Sequence, residues 1–307
     1  MTEHHHHHSD GEHPVSKFEQ ACKYFNLHLH DEEVATATRH LLDKSKAQYD
    51  TPDVKRQLLR AVELTTLKVT DSQESVLQLI ERVNAFYGDR PDVPAPATIC
   101  VYPNFAGIVS RSLEVEATSV ACVAGGFPSS QTFAEIKTAE TALAVHDGAD
   151  EIDCVLSVGA FLSGDYETCS DEIGEIKAAC ADRPLKVILE TGALATAENI
   201  KRASILAIYA GADFLKTSTG KISPAATPEA AYVMCEAIRE YYALTGTRIG
   251  FKAAGGLNSV DDALSYYTLV REMLGEEWIK AGLFRLGTSR LANLLVSEVT
   301  GSDIKPF

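Results

Sequence analysis

The sequence predicts an α/β protein, a (β/α)8 TIM barrel preceded by an N-terminal helical extension, and three observations carry that expectation. From residue 61 onward, short β-branched runs alternate with helical patterns, and such alternation implies a parallel sheet. Eight of these units fit into about 245 residues, which suits one closed barrel better than the two domains a length of 307 would suggest. Gly-Ala-Asp occurs twice, at 148–150 and 211–213, each time between a helix and a strand. A glycine there can end the helix in the left-handed conformation, and a common loop used twice explains the triplet as well as an internal repeat does. A doubly wound sheet is the competing architecture.

Taken in order, residues 1–16 are polar and hold the run His4–His8, which reads as a purification tag or a natural low-complexity tract. Residues 17–60 read as the helical extension: Val34, Ala37, Leu41 and Leu42 share a face, with Asp31 placed to cap it. The barrel is expected over 61–307. Its strands are read at 61–67, 97–102, 119–124, 151–157, 185–190, 213–217, 248–253 and 283–287. Its helices are read at 75–87, 105–116, 133–145, 166–181, 197–209, 228–242, 260–274 and 288–299. The stretch PDVPAP at 91–96 is a loop. The helix from Pro228 is the best marked, with Thr227 as N-cap, Pro228 at N1, Glu229 in the first turn, and Ala230, Met234, Ala237, Ile238 and Tyr241 along one face.

Composition narrows the chemistry. The formal net charge is −15, which disfavours nucleic acid and anionic membranes as partners. No run of 18 apolar residues occurs and the N-terminus has no apolar stretch of signal type, so a cytoplasmic location is expected. The seven cysteines are odd in number and include no C-x-x-C, which points to reduced thiols. Nine of the ten histidines lie between His4 and His40, and the last is His146. Past residue 40, a histidine triad or a multi-histidine zinc site therefore has one histidine to draw on. The chemistry is expected to rest on Lys, Asp, Glu, Ser or Thr.

Strand parity picks out the unusual side chains. In EIDCVLS, Ile152, Cys154 and Leu156 form the apolar face, so Glu151, Asp153 and Val155 point into the barrel. By the same alternation Lys186, Ile188 and Glu190 point inward from LKVILE, and Lys252 from RIGFKAAGG. Lys216 lies near the C-terminal end of its strand, where barrel enzymes place their sites. Four consecutive strands thus offer Asp153, Lys186, Lys216 and Lys252 to one interior. One reading is a buried salt-bridge layer in which Asp153 and Glu190 pair with the lysines. The other is a lysine that burial and like charges deprotonate, able to form a Schiff base with a carbonyl. Thr217–Lys221, Gly255-Gly256 and Gly287–Arg290 follow strands six, seven and eight, and three such loops converging there suit a phosphate.

The strings GADFLKTSTGK (211–221), FKAAGG (251–256), GADEIDCVLSVGA (148–160), KVILETGAL (186–194), TICVYP (98–103) and ELTTL (63–67) together resemble class I deoxyribose-phosphate aldolase, from about residue 60 to about 300. The resemblance implies reversible cleavage of 2-deoxy-D-ribose 5-phosphate to D-glyceraldehyde 3-phosphate and acetaldehyde, without a metal or other cofactor. It implies Lys216 as the Schiff-base lysine, Lys252 as the neighbouring ammonium, and Asp153 as a proton relay working with a water. Lys186 would support the polar network, Thr65 and Cys100 would lie near the substrate, and Gly220, Lys221, Gly255, Gly256 and Ser289 would hold the phosphate. A homodimer is the family expectation.

The chain departs from the family pattern at Glu63, where Asp is usual, at Ala253, where Pro is common, at Arg290, where a small residue is common, and at Phe307, where many bacterial members end in tyrosine. Arg290 either strengthens phosphate binding by its charge or fills the pocket by its bulk. The alternative function resting on these departures is an aldolase-fold protein with weak or no turnover and an interaction role. Actin-type partners are considered only by analogy with fructose-bisphosphate aldolases.

Overall fold

The computed structural model describes residues 16–307. Of the His-rich stretch 1–16 only Ser16 lies within the described residues, and its hydroxyl accepts from the Glu19 N–H to cap α1 (Lys17–Cys22). Eight parallel strands close into a barrel in chain order. They are β1 (Val62–Thr65), β2 (Thr98–Val101), β3 (Ser119–Val123), β4 (Glu151–Val155), β5 (Leu185–Ile188), β6 (Phe214–Lys216), β7 (Gly250–Ala254) and β8 (Phe284–Thr288). Closure is direct: Val62, Glu63 and Leu64 pair with Leu286, Gly287 and Thr288. The doubly wound alternative is thereby replaced.

Ahead of the barrel lie α1, α2 (Asp31–Ser45) and α3 (Pro52–Ala61). The principal outer helices are α4 (Gln73–Asp89), α5 (Ala106–Ser112), α6 (Ala134–His146), α8 (Tyr166–Ala179), α10 (Ala197–Ala210), α11 (Pro228–Thr245), α12 (Val260–Met273) and α14 (Arg290–Thr300). Three short helices that the periodicity did not reveal sit between them: α7 (Val158–Leu162), α9 (Thr191–Leu194) and α13 (Glu276–Lys280). At four or five residues each they are too short to show a helical period. Thr227 caps α11 as its sequence predicts, accepting from the Ala230 N–H.

Strand alternation holds over most of the barrel. Leu64, Ile99, Cys122, Ile152, Cys154, Val187, Leu215, Phe251 and Leu286 are buried in the large core beneath the helices, and the residues between them face the axis. The extension packs on this ring. α1 lies against α10, α2 against α11 and α12, and α3 against α14.

Three sequence expectations are corrected. Asp31 does not cap its own helix; it is the first residue of α2, and its carboxylate accepts from the Ala197 N–H, capping α10 from outside. The helix after β2 ends at Ser112, not 116, because Asn84 of α4 receives the Glu114 N–H and donates to the Ser112 carbonyl. β5 ends at Ile188, and Glu190 takes a left-handed conformation at φ 58°, which turns its carboxylate away from the lysines.

Candidate active site

Inside the barrel, Asp153 of β4 is the hub of a buried ion network. Its Oδ2 receives the Lys216 ammonium at 2.8 Å and the Lys252 ammonium at 2.8 Å, while Oδ1 receives Lys186 at 2.9 Å. Glu63 of β1 accepts from Lys252 at 2.8 Å and from Lys186 at 3.2 Å. Towards the amino ends of the strands, Lys186 also pairs with Glu151 at 2.7 Å. Arg285 of β8 grips Glu151 with two bonds of 2.9 and 3.1 Å and reaches Glu63 at 3.1 Å. The carboxylate that joins Asp153 in pairing the lysines is therefore Glu63, with Glu151, and not Glu190. Glu190 instead accepts from the N–H and the hydroxyl of Thr219, fixing the loop after β6.

Burial and pairing set the protonation states. Burial and the Lys252 ammonium hold Lys216 below the ordinary lysine value, against the pull of Asp153. Lys186 and Lys252 feel the same cost of burial, but Asp153 and the two glutamates reverse it for Lys186, and Asp153 with Glu63 for Lys252, so both are raised. Burial pushes Asp153, Glu63 and Glu151 up, and their cations, Lys186 first, more than offset it and hold all three low. Cys100, wholly buried beside this network, has its thiol raised by burial. Among four basic side chains in one interior, Lys216 is the one displaced towards the neutral amine.

Lys216 is also the one that meets open space. It lies in the wall of a cavity of about 280 Å³ at the carboxyl ends of the strands, together with Thr65, Gly220, Lys221, Gly255, Gly256, Ser289 and Arg290. The remaining expected residues, Asp153, Lys186, Lys252 and Cys100, are buried in the barrel below it and do not line it. The glycines are required by a close approach. A Cβ on Gly255, at φ +83°, would come within 2.7 Å of the Ala225 Cβ and 2.9 Å of the Gly220 Cα. The loops after β6 and β7 thus touch backbone to backbone. The hydroxyl of Ser289, at the cap position of α14, makes no cap bond; Thr288 accepts from the Leu291 N–H instead, and the Ser289 side chain stays in the cavity wall. Lys221 donates to the Leu67 carbonyl across the mouth.

Several functional residues escape the sequence reading. Thr66, Lys68 and Asn258 also line the cavity, beside Thr219 of the expected phosphate loop, and Arg285 joins the inward-facing Glu151 to complete the ion network. Parity applied to β8 would have put Arg285 inside, since Phe284 and Leu286 on either side belong to the outer core. Phe307 does not line the cavity. It stacks on Tyr87, meets Phe86 edge-on, and is held by Asn293 through its N–H and its carbonyl.

A family model described as DeoC/LacD family aldolase matches residues 59–279. The chain belongs to that family. The deoxyribose-phosphate aldolase of Homo sapiens is 42% identical over 257 residues, covering 79% of this chain and 80% of the human one. That of Bos taurus is 41% identical over 249 residues, covering 76% and 78%. A solved structure of deoxyribose phosphate aldolase from Aeropyrum pernix superposes with a TM-score of 0.61 over 85% of this chain and 95% of that one. At 23% identity it speaks for the fold alone.

In this aldolase, Glu63, Cys100 and Asp153 each bring one potential ligand atom within 4.8 Å of the others. Both carboxylates already receive lysine ammoniums, and a divalent ion there would sit among like charges. The donor set suits amine chemistry, not a metal centre. Among the described residues, no helix is long and apolar enough to cross a membrane.

Proposed function

We propose that the protein is a Schiff-base aldolase that reversibly cleaves 2-deoxy-D-ribose 5-phosphate to D-glyceraldehyde 3-phosphate and acetaldehyde. The observation that carries this reading is the isolation of Lys216: it is buried, displaced towards the free amine, and the member of the lysine cluster that opens on a cavity walled by cations and glycine loops. The phosphate would lie on Gly220, Lys221, Gly255, Gly256, Ser289 and Arg290, which sets the aldehyde carbon towards Lys216.

The amine attacks that carbon, and loss of water gives a protonated imine. The bond between C2 and C3 then breaks, its electron pair moving into the imine to form an enamine, while the C3 hydroxyl gives up its proton. Glyceraldehyde 3-phosphate leaves, the enamine takes a proton at C2, and water releases acetaldehyde and restores the amine. Asp153, bonded to both Lys216 and Lys252, would move these protons through a water that reaches the substrate carbons. Glu63, one of the departures from the family pattern, keeps the ion network closed, which supports turnover over the inactive reading. The test is incubation with acetaldehyde and borohydride. A reduced two-carbon adduct on Lys216, with cleavage of deoxyribose 5-phosphate in a coupled assay, is expected. No adduct, or one surviving Lys216→Ala, rejects the proposal.

A further inference from the structure

The buried network holds three carboxylates, Glu63, Glu151 and Asp153, and each cation below Lys216 touches at least two of them. Lys186 touches all three, Lys252 touches Glu63 and Asp153, and Arg285 touches Glu63 and Glu151. Three negative charges thus meet three positive ones before Lys216 is counted. Lys216 reaches only Asp153, on an oxygen it shares with Lys252. The interior is neutral when Lys216 carries no proton and holds one excess positive charge when it does. Excess charge in so dry a site is costly, and its influence extends across the barrel because little water screens it.

We propose that Arg285 and Glu151, at the end of the barrel away from the substrate cavity, are positioning residues that set the protonation of Lys216, Arg285 favouring the free amine and Glu151 opposing it. Arg285 is the cation that completes the match, and Glu151 sets how much of its charge is left for Glu63. The inference rests on the reading of Lys216 as the nucleophile. The other charged and titratable groups facing Lys216 are Asp153 from β4, Lys252 from β7, Lys186 from β5, Glu63 from β1 and Cys100 from β2, with Lys221, Lys68 and Arg290 around the cavity. Glu190, beyond β5, is taken up by Thr219. Neither Arg285 nor Glu151 lines the substrate cavity; both line a separate cavity of about 490 Å³ at the opposite end, so neither can act by touching substrate.

Two probes separate this inference from the aldolase reading. Carbamoylation of Lys216 by cyanate, followed across pH by peptide mass spectrometry, reports the free amine without requiring turnover. Borohydride trapping with acetaldehyde reports the reaction. R285Q leaves three carboxylates facing two cations, so Lys216 retains its proton. Both profiles then move to higher pH by about one unit, and trapping at neutral pH falls about tenfold. R285K restores the wild-type profile. E151Q removes a carboxylate and moves the profiles to lower pH. The double variant E151Q/R285Q is charge-matched again and returns them to wild type, which repaired packing alone would not do. Unmoved profiles in folded R285Q, or a double variant no nearer wild type than R285Q, overturn the proposal. Should R285Q not fold, E151Q decides alone, and an unshifted profile overturns it. A wild-type protein that carbamoylates as expected but traps no acetaldehyde fails as an aldolase while the charge-matching remains open to the cyanate test.

Discussion

Lys137 and Lys201, in the helical layer, are as deeply buried as Lys186 and Lys252 inside the barrel, yet the two sets are paired differently. Lys137 meets Ser157 and Glu172, and Lys201 meets Glu236 and Glu240. Each of those carboxylates serves one lysine and reaches the protein surface, with side-chain exposures of 15 to 24%. Inside the barrel the carboxylates are shared, and one oxygen of Asp153 receives two ammoniums. A buried lysine with its own partially hydrated partner is a structural ion pair. Lys216, which shares the one oxygen it reaches, is the barrel lysine displaced towards the free amine. Burial does not distinguish the two, whereas the sharing of carboxylates does.

The sharpest way to break this contrast is Lys216→Ala. It removes the proposed nucleophile and should lower turnover by about 10⁴-fold or more, with an unchanged circular dichroism spectrum; retained cleavage would place the chemistry elsewhere. Lys252→Leu comes next. Without its ammonium Lys216 is freer to hold a proton, so trapping at neutral pH should fall by about 10²- to 10³-fold and recover as pH rises towards the ordinary lysine value. A loss that is flat across pH would mean that Lys252 acts in some other way. In the helical layer, Lys201→Met should leave kcat intact and cost about 3 kcal/mol of stability, read in denaturant, because Glu236 and Glu240 can rehydrate. A large loss of activity there would erase the distinction between the two lysine sets. The smallest effect is expected of Arg290→Ser. Arg290 is exposed at the cavity mouth, so its charge is screened, and KM for the phosphorylated sugar should rise about threefold to tenfold at low salt. An unchanged KM would leave Arg290 as bulk only.

The sequence made legible what depends on local pattern. The alternation of β-branched runs with helices gave the barrel, and strand parity put Asp153, Lys186 and Lys252 in its interior. The lysine-bearing loop after β6 and the glycines after β7 were visible as strings. Glu190 was misplaced because period-two alternation was carried past Ile188, where the strand stops and the backbone turns left-handed. No composition signal marks that point. Asp31 and Asn84 cap helices far from them in the chain, and a cap supplied across space leaves no local trace. Arg285 and Glu151 were legible as inward positions, but their pairing became visible only once β4 and β8 faced each other across a closed barrel.

The cap that Asp31 lends to α10 has a practical side. The backbone N–H of Asn26 donates to Glu240 Oε2, and the other oxygen of that carboxylate receives Lys201. Lys46 pairs with Asp261, and Tyr49 and Gln48 bond Glu272, both on α12. The extension therefore works as a belt buckled to three successive outer helices. A shortened chain beginning at residue 61 would keep every proposed catalytic side chain, yet it would leave α10 with the Thr196 cap alone, bare the lining of another helix's ion pair and invite self-association along the stripped face. Anyone shortening this aldolase should keep α1 to α3 and not begin at the first strand.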